Sequence, residues 1–167
     1  MLRERGAVGW AGVLLSGAAV SAVVPAAFFS VVWRGVGPPP DPRDALLFLP
    51  PALAAGAAAA VVARLLGFGR TTWARMWEPG GKIIAALLLG GFVGFWVAYG
   101  TTGIFWRLWE PMDPTRSDWA DAFAGIWCVV LGTLGAALAA LVCPLLWAGW
   151  AAWRTRKAGV ECPPAPD

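Results

Sequence analysis

The residues best suited to chemistry are a twice-used dipeptide and the carboxylates near it. Trp33-Arg34 and Trp106-Arg107 repeat the same pair, and Asp44, Glu110, Asp118 and Asp121 lie close behind them. Brought together, these eight residues would make a mixed-charge cluster in which arginine forks and carboxylates recognise a headgroup or a partner. The plainer reading is a set of exposed ion pairs, each contributing little to stability. The chain contains no His, Asn or Gln, so the commonest metal ligand and proton relay is missing. Cys128 and Cys143 fall on one predicted helix roughly 22 Å apart, and Cys162 lies in the tail, so no pair can bridge within the chain. With no base beside them, the thiols read as small packing residues. Gly80-Gly81-Lys82 ends like a phosphate loop, but Met76 stands where such a loop needs glycine. No catalytic residue, metal site or cofactor is therefore expected, and the chain reads as a non-enzyme.

The elements that would position these groups are set by composition. Of 167 residues, 59% are hydrophobic and 14% charged, with a mean hydropathy of +0.64, which excludes an ordinary soluble domain. Four runs are long enough to cross a hydrocarbon core about 30 Å thick, at Val8–Val32, Ala45–Leu66, Ile83–Phe105 and Ala122–Trp147. The first follows Met-Leu-Arg-Glu-Arg but is long, and the candidate cleavage site at Val24-Pro25-Ala26 contains proline, so it reads as a retained anchor. Arg64 is the single charge within the four and is expected to snorkel to the interface.

Charge distribution predicts an orientation. Arg3, Arg5, Arg64, Arg70, Arg75, Lys82, Arg154, Arg156 and Lys157 lie at the termini and middle loop, whereas the other two loops hold Arg34, Arg43, Arg107 and Arg116. The positive-inside rule then puts both termini and the middle loop in the cytoplasm of an inner-membrane protein. Tryptophan follows the same map. Trp10, Trp73, Trp77, Trp147, Trp150 and Trp153 fall at the inner boundary and Trp33, Trp106, Trp109 and Trp119 at the outer, where amphipathic rings prefer to sit.

Displacing the chain by 73 residues lays Val13–Arg34 over Ala86–Arg107, with identities at Leu14, Leu15, Gly17, Val20, Val24, Trp33 and Arg34. Asp41-Pro42 then meets Asp113-Pro114 after a one-residue gap, and Gly56-Ala57-Ala58 matches Gly135-Ala136-Ala137. The expected fold is thus an all-α integral membrane protein of four transmembrane helices, built as two tandem parallel-repeat hairpins with both termini inside. Residues 1–66 form the first hairpin, 67–82 a cytoplasmic interfacial loop, 83–153 the second hairpin and 154–167 a disordered tail. Each Asp-Pro reads as an N-cap followed by a first helical residue. The middle loop, with Trp73 and Trp77 beside Arg70 and Arg75, reads as an interfacial segment on anionic lipid.

Small residues recur every fourth position as Ala52, Gly56 and Ala60, as Ala86, Gly90, Gly94 and Ala98, and as Gly132, Ala136 and Ala140. Such strips let helices approach closely in lipid, so they are expected to be the internal seams. Phe92, Phe95, Trp96 and Tyr99 fall on the opposite face of the third helix, turned to lipid or to another protein. Pro25, Pro50, Pro51 and Pro144 each remove a backbone donor and are expected to bend their helices.

Three functional readings follow. The first is a Trp-rich, non-enzymatic accessory, assembly or scaffold component of a membrane complex, whose partners are membrane lipids and a membrane protein or a second copy, with no nucleic acid. The second is a small oligomeric transporter or channel with Tyr99, Thr101 and Thr102 as lining. The third is a lipid-processing enzyme using the Trp-Arg and carboxylate cluster.

Overall fold

The computed structural model describes residues 9–32, 42–68, 81–109 and 118–157. Among these residues there is no strand, and all but Gly9 and a turn at 66–68 are helical. The first helix, α1 (Trp10–Ala27), runs on into a π-helical segment (Phe28–Val32). It is followed by α2 (Pro42–Leu65), α3 (Gly81–Trp109) and α4 (Asp118–Lys157). Each contains a stretch long and apolar enough to cross a membrane: Trp10–Val31, Leu46–Leu65, Gly81–Phe105 and Ala124–Arg154. Among the described residues the protein is all-helical, with four helices of membrane-spanning length.

Local chemistry accounts for several helix limits. Pro42 opens α2 at the first helical position, where a missing N–H removes no helical bond. Asp41 and the Asp113-Pro114 pair lie outside the described residues. At its far end α2 closes with a Schellman turn: the Gly67 N–H donates to the Arg64 carbonyl at 3.1 Å and the Phe68 N–H to the Ala63 carbonyl at 3.2 Å. Gly67 sits at φ +94°, a conformation that carries a steric penalty for any residue with a Cβ, and it lets buried Phe68 fold back onto the core. In α1, the widening to a π-helix comes one turn after Pro25, which we take as its cause.

The helix α4 continues four residues beyond the boundary placed after Trp153. Arg154 lies 3.9 Å over the Trp150 ring and Lys157 4.3 Å over the Trp153 ring. These pairs, spaced one turn apart, support the helix where cations also favour the C-terminal dipole. Residues 154–157 are therefore helical rather than part of a disordered tail; the residues after 157 lie outside the described set.

The helices pack as a diamond. The helices α2 and α4 touch each other, and each also touches both α1 and α3. Close approaches fix the register. A Cβ on Gly17 would stand 2.6 Å from that of Ala60, and one on Gly56 would collide with Ser21. On the other side, a Cβ on Gly90 would be 3.1 Å from Ala140 and one on Gly132 2.7 Å from Ala98, while Gly94 abuts Ala136. Gly90 and Gly94 also face Ala59 and the Ala55 carbonyl. Moving forward along α3 thus moves backward along both α2 and α4, an up-down-up-down arrangement. The start of α1 and the end of α4 share one end of the bundle, and Trp147 bonded to Ser16 ties the two together there.

All three expected seams are buried. A second set of small residues lies buried beside them: Ala55, Ala59 and Ala63 on α2, and Gly135, Ala139 and Cys143 on α4. These second strips are what allow α2 and α4 to be packed on two sides at once. Interiors of this kind are held by close van der Waals contact, because lipid supplies no hydrophobic drive between helices.

Two expectations are overturned here. Arg64 does not snorkel outward; it is only 7% exposed, and its Nη1 donates to the Phe68 carbonyl at 3.2 Å. The Schellman turn brings that carbonyl back over the end of α2, so the guanidinium finds its acceptor inside the fold rather than at the lipid interface. Trp147 is not a belt residue either, being 3% exposed within the main core, where its Nε1 donates to Ser16 Oγ at 3.1 Å.

Candidate functional site

The polar groups inside the bundle are few, and almost all are engaged by backbone. Ser21, fully buried between α2 and α4, donates from Oγ to the Ala52 carbonyl at 2.6 Å. The Thr133 hydroxyl turns back to the Val129 carbonyl at 2.8 Å and Thr101 to Val97 at 2.6 Å. Ser16 passes its own proton to the Val13 carbonyl at 3.0 Å while accepting from Trp147. Hydroxyls occupied in this way are structural ties, and a bond between membrane helices contributes about 0.6 kcal/mol on average.

Proline explains one unusual contact. Pro51 cannot donate to the Leu47 carbonyl, and the buried Cys128 thiol of α4 lies 3.8 Å from that oxygen. The thiol replaces part of the lost helical bond, as neighbours commonly do around proline in membrane helices. At the end of the bundle away from the start of α1, Phe28, Phe29, Phe48 and Trp127 form an aromatic plug, with Phe28 and Trp127 centroids 4.9 Å apart and Phe29 and Phe48 5.0 Å apart.

One buried hydroxyl stands apart. Thr102 is 7% exposed and its Oγ1 has no hydrogen-bond partner. It continues the α3 seam one turn beyond Ala98. The register that pairs Gly94 with Ala136 and Ala98 with Gly132 places it opposite Cys128. Tyr99, in contrast, is 60% exposed on the outside of α3, so Tyr99 and Thr102 point in different directions and do not share a lining.

Of the mixed-charge cluster, Arg107 is exposed on the last turns of α3. Asp44, Trp106, Asp118 and Asp121 are carried by helical backbone, near the start of α2, the end of α3 and the start of α4. Trp33, Arg34 and Glu110 lie outside the described residues. The helix ends that carry the five placed members all belong to the end of the bundle opposite the start of α1.

The aromatic face of α3 is fully laid out. Phe92, Phe95, Trp96 and Tyr99 are all exposed, and their rings pack on one another. Phe95 and Tyr99 are stacked at 6.3 Å, and Trp96 meets Phe92, Phe95 and Tyr99 edge-on at 6.3, 5.6 and 6.1 Å. Edge-to-face contacts of this kind hold the rings as a preformed strip. Beside it runs a groove of about 250 Å³ between α3 and α4, lined by Phe95, Val129, Val130, Thr133 and Leu134. Its lining is almost entirely apolar, because Thr133 has turned its hydroxyl to the backbone.

No group of three or more metal-ligating side chains occurs among the described residues. Comparison with protein-family models, curated proteins and solved structures finds no match.

Proposed function

We propose that this protein is a non-enzymatic accessory, assembly or scaffold component of an inner-membrane complex. In this reading two tandem hairpins form a rigid bundle whose termini and middle loop face the cytoplasm. The observation that carries it is the preformed aromatic strip on α3, displayed on a bundle whose interior is spent on close helix packing. Phe, Tyr and Trp are the residues most enriched at the centres of protein interfaces, where rigid rings cost little entropy to bury.

The duplication is supported by register as well as by sequence. Gly17 faces Ala60 in the first hairpin and Gly90 faces Ala140 in the second, so α1 and α3 correspond at a separation of 73. By the same contacts α2 and α4 correspond at 80, one residue more than the Gly-Ala-Ala match implies. The paired seams, Ala52, Gly56 and Ala60 with Gly132, Ala136 and Ala140, are then the better measure of equivalence.

The test is co-purification from native membranes in mild detergent, combined with photo-crosslinking from position 96. A stoichiometric partner or second copy is expected, with crosslinks from position 96 lost in Phe92→Leu/Tyr99→Leu while thermal stability is kept. A monomer crosslinking to lipid alone would reject the reading.

Thr102 favours a second reading, a small oligomeric transporter or channel, because an unpartnered hydroxyl at depth is what a permeant species could use. The axis of one copy is filled by the α2 and α4 contact, so such a path would have to open between α3 and α4, beside Thr102. Flux in proteoliposomes that survives Thr102→Val would argue against it.

A further inference from the structure

The end of the bundle where α1 starts and α4 finishes has a charge pattern that the scaffold reading does not use. Lys82, Arg154, Arg156 and Lys157 are all exposed there. Among the described residues at that end, 9–13, 60–68, 81–86 and 147–157, there is no Asp or Glu. Arg64, the remaining cation among the described residues there, is turned inward and bonded to Phe68. Among the described residues, four side chains are therefore left as a basic rim with no acidic neighbour.

The rim lies where the hydrocarbon should stop. The apolar windows begin at Trp10 and Gly81 and end at Arg154. Trp10 and Trp153, 53% and 51% exposed, mark the same level. Tryptophan prefers the headgroup layer, and here two of the cations are stacked on Trp150 and Trp153 at that depth. Stacking over a ring fixes each cation laterally while leaving N–H donors for a phosphate oxygen.

We infer that this rim is a binding surface for anionic phospholipid headgroups, with Arg154, Arg156 and Lys157 at the end of α4 as its main contacts and Lys82 at the start of α3 as a fourth. An acidic protein surface would satisfy the charge, but not the coincidence of the cations with the ends of the apolar windows and with the tryptophans. The headgroup satisfies both.

The experiment is native mass spectrometry of the purified full chain titrated with phosphatidylglycerol or phosphatidylcholine at low salt. Each cation near an anionic surface contributes about fivefold, so the four give a preference for phosphatidylglycerol on the order of several hundred-fold. R154Q/R156Q/K157Q should reduce that preference to the few-fold that Lys82 supports, and 0.5 M salt should weaken it in the wild type by screening, because the Debye length falls from about 10 Å at 0.1 M to roughly 4 Å. Inorganic phosphate at millimolar concentration should not displace the lipid. Equal retention of the two lipids, an unchanged preference in the triple variant, or displacement by free phosphate would each overturn the inference. Should the triple variant not fold, K157Q alone is expected to lose about fivefold, and no loss there would count equally against the proposal.

Discussion

The central pair of helices, α2 and α4, and the flanking pair, α1 and α3, are made of nearly the same material and do different jobs. All four carry comparably apolar windows, yet 50% and 44% of the windows of α2 and α4 are buried, against 22% each for α1 and α3. Hydropathy therefore does not decide which helix sits inside a membrane bundle. The number of small-residue strips does. A helix with one strip, such as α3 along Ala86, Gly90, Gly94 and Ala98, has one close partner face and leaves large side chains outside. A helix with two adjacent strips, such as α2 along Ala52, Gly56 and Ala60 and along Ala55, Ala59 and Ala63, can be approached from both sides.

The sharpest way to break that comparison is a bulky residue in a central strip. Gly56→Leu must displace Ser21 and the backbone of α1 at Gly17, and we expect a loss of at least ~3 kcal/mol, or no recoverable fold. Gly100→Leu, on an open face of α3 with nothing near its Cβ position, should change reversible unfolding in mixed micelles by less than ~0.5 kcal/mol. Similar effects from both would end the argument.

A finer comparison uses corresponding glycines of the two hairpins. Gly17→Ala meets the Gly56 carbonyl and Ala60 and should cost about 1–3 kcal/mol, whereas Gly90→Ala meets Ala140 at 3.1 Å and should cost less than ~1 kcal/mol. The same unfolding assay orders them, and a reversed order would mean that the first hairpin can open more easily than the second.

Smaller still is the tie between α1 and α4. Trp147→Phe removes the donor to Ser16 and should lower stability by about 0.5–1.5 kcal/mol, while Trp96→Phe on the exposed strip should leave an isolated monomer unchanged. A double-mutant cycle with Ser16→Ala should return a coupling near ~0.6 kcal/mol. A coupling of zero would reassign Trp147 to packing alone.

How far the residues announced this arrangement differs from place to place. The first strips were legible because Gly and Ala recur every fourth position in otherwise bulky text. The second strips were hidden within the alanine runs at 54–60 and 136–140, where every register looks small. A reading of positions i, i+3, i+4 and i+7 for small residues would have exposed them. The aromatic face of α3 was legible for the converse reason, since four large rings cannot share a side with a glycine seam.

Arg64 and Trp147 were misread because both were judged by their distance from a span end. Arg64 lies beside a glycine-closed turn that returns a carbonyl to it, and Trp147 lies opposite a serine more than a hundred residues away in sequence. Neither acceptor is visible from the local text. The partner of Cys128 is similar: the carbonyl it approaches is free only because Pro51 lies four residues further along another helix.

The sequence by itself determined four membrane-length helices, their approximate limits, the first seams and the exposed rings, because span length, helical period and side-chain size are local properties. Only the tertiary structure decided which helices are central, which way Arg64 and Trp147 turn, and that four exposed cations gather at one end of the bundle with no acid beside them among the described residues. Those outcomes depend on which backbones approach within a methyl group of each other, and that distance is a property of pairs of helices.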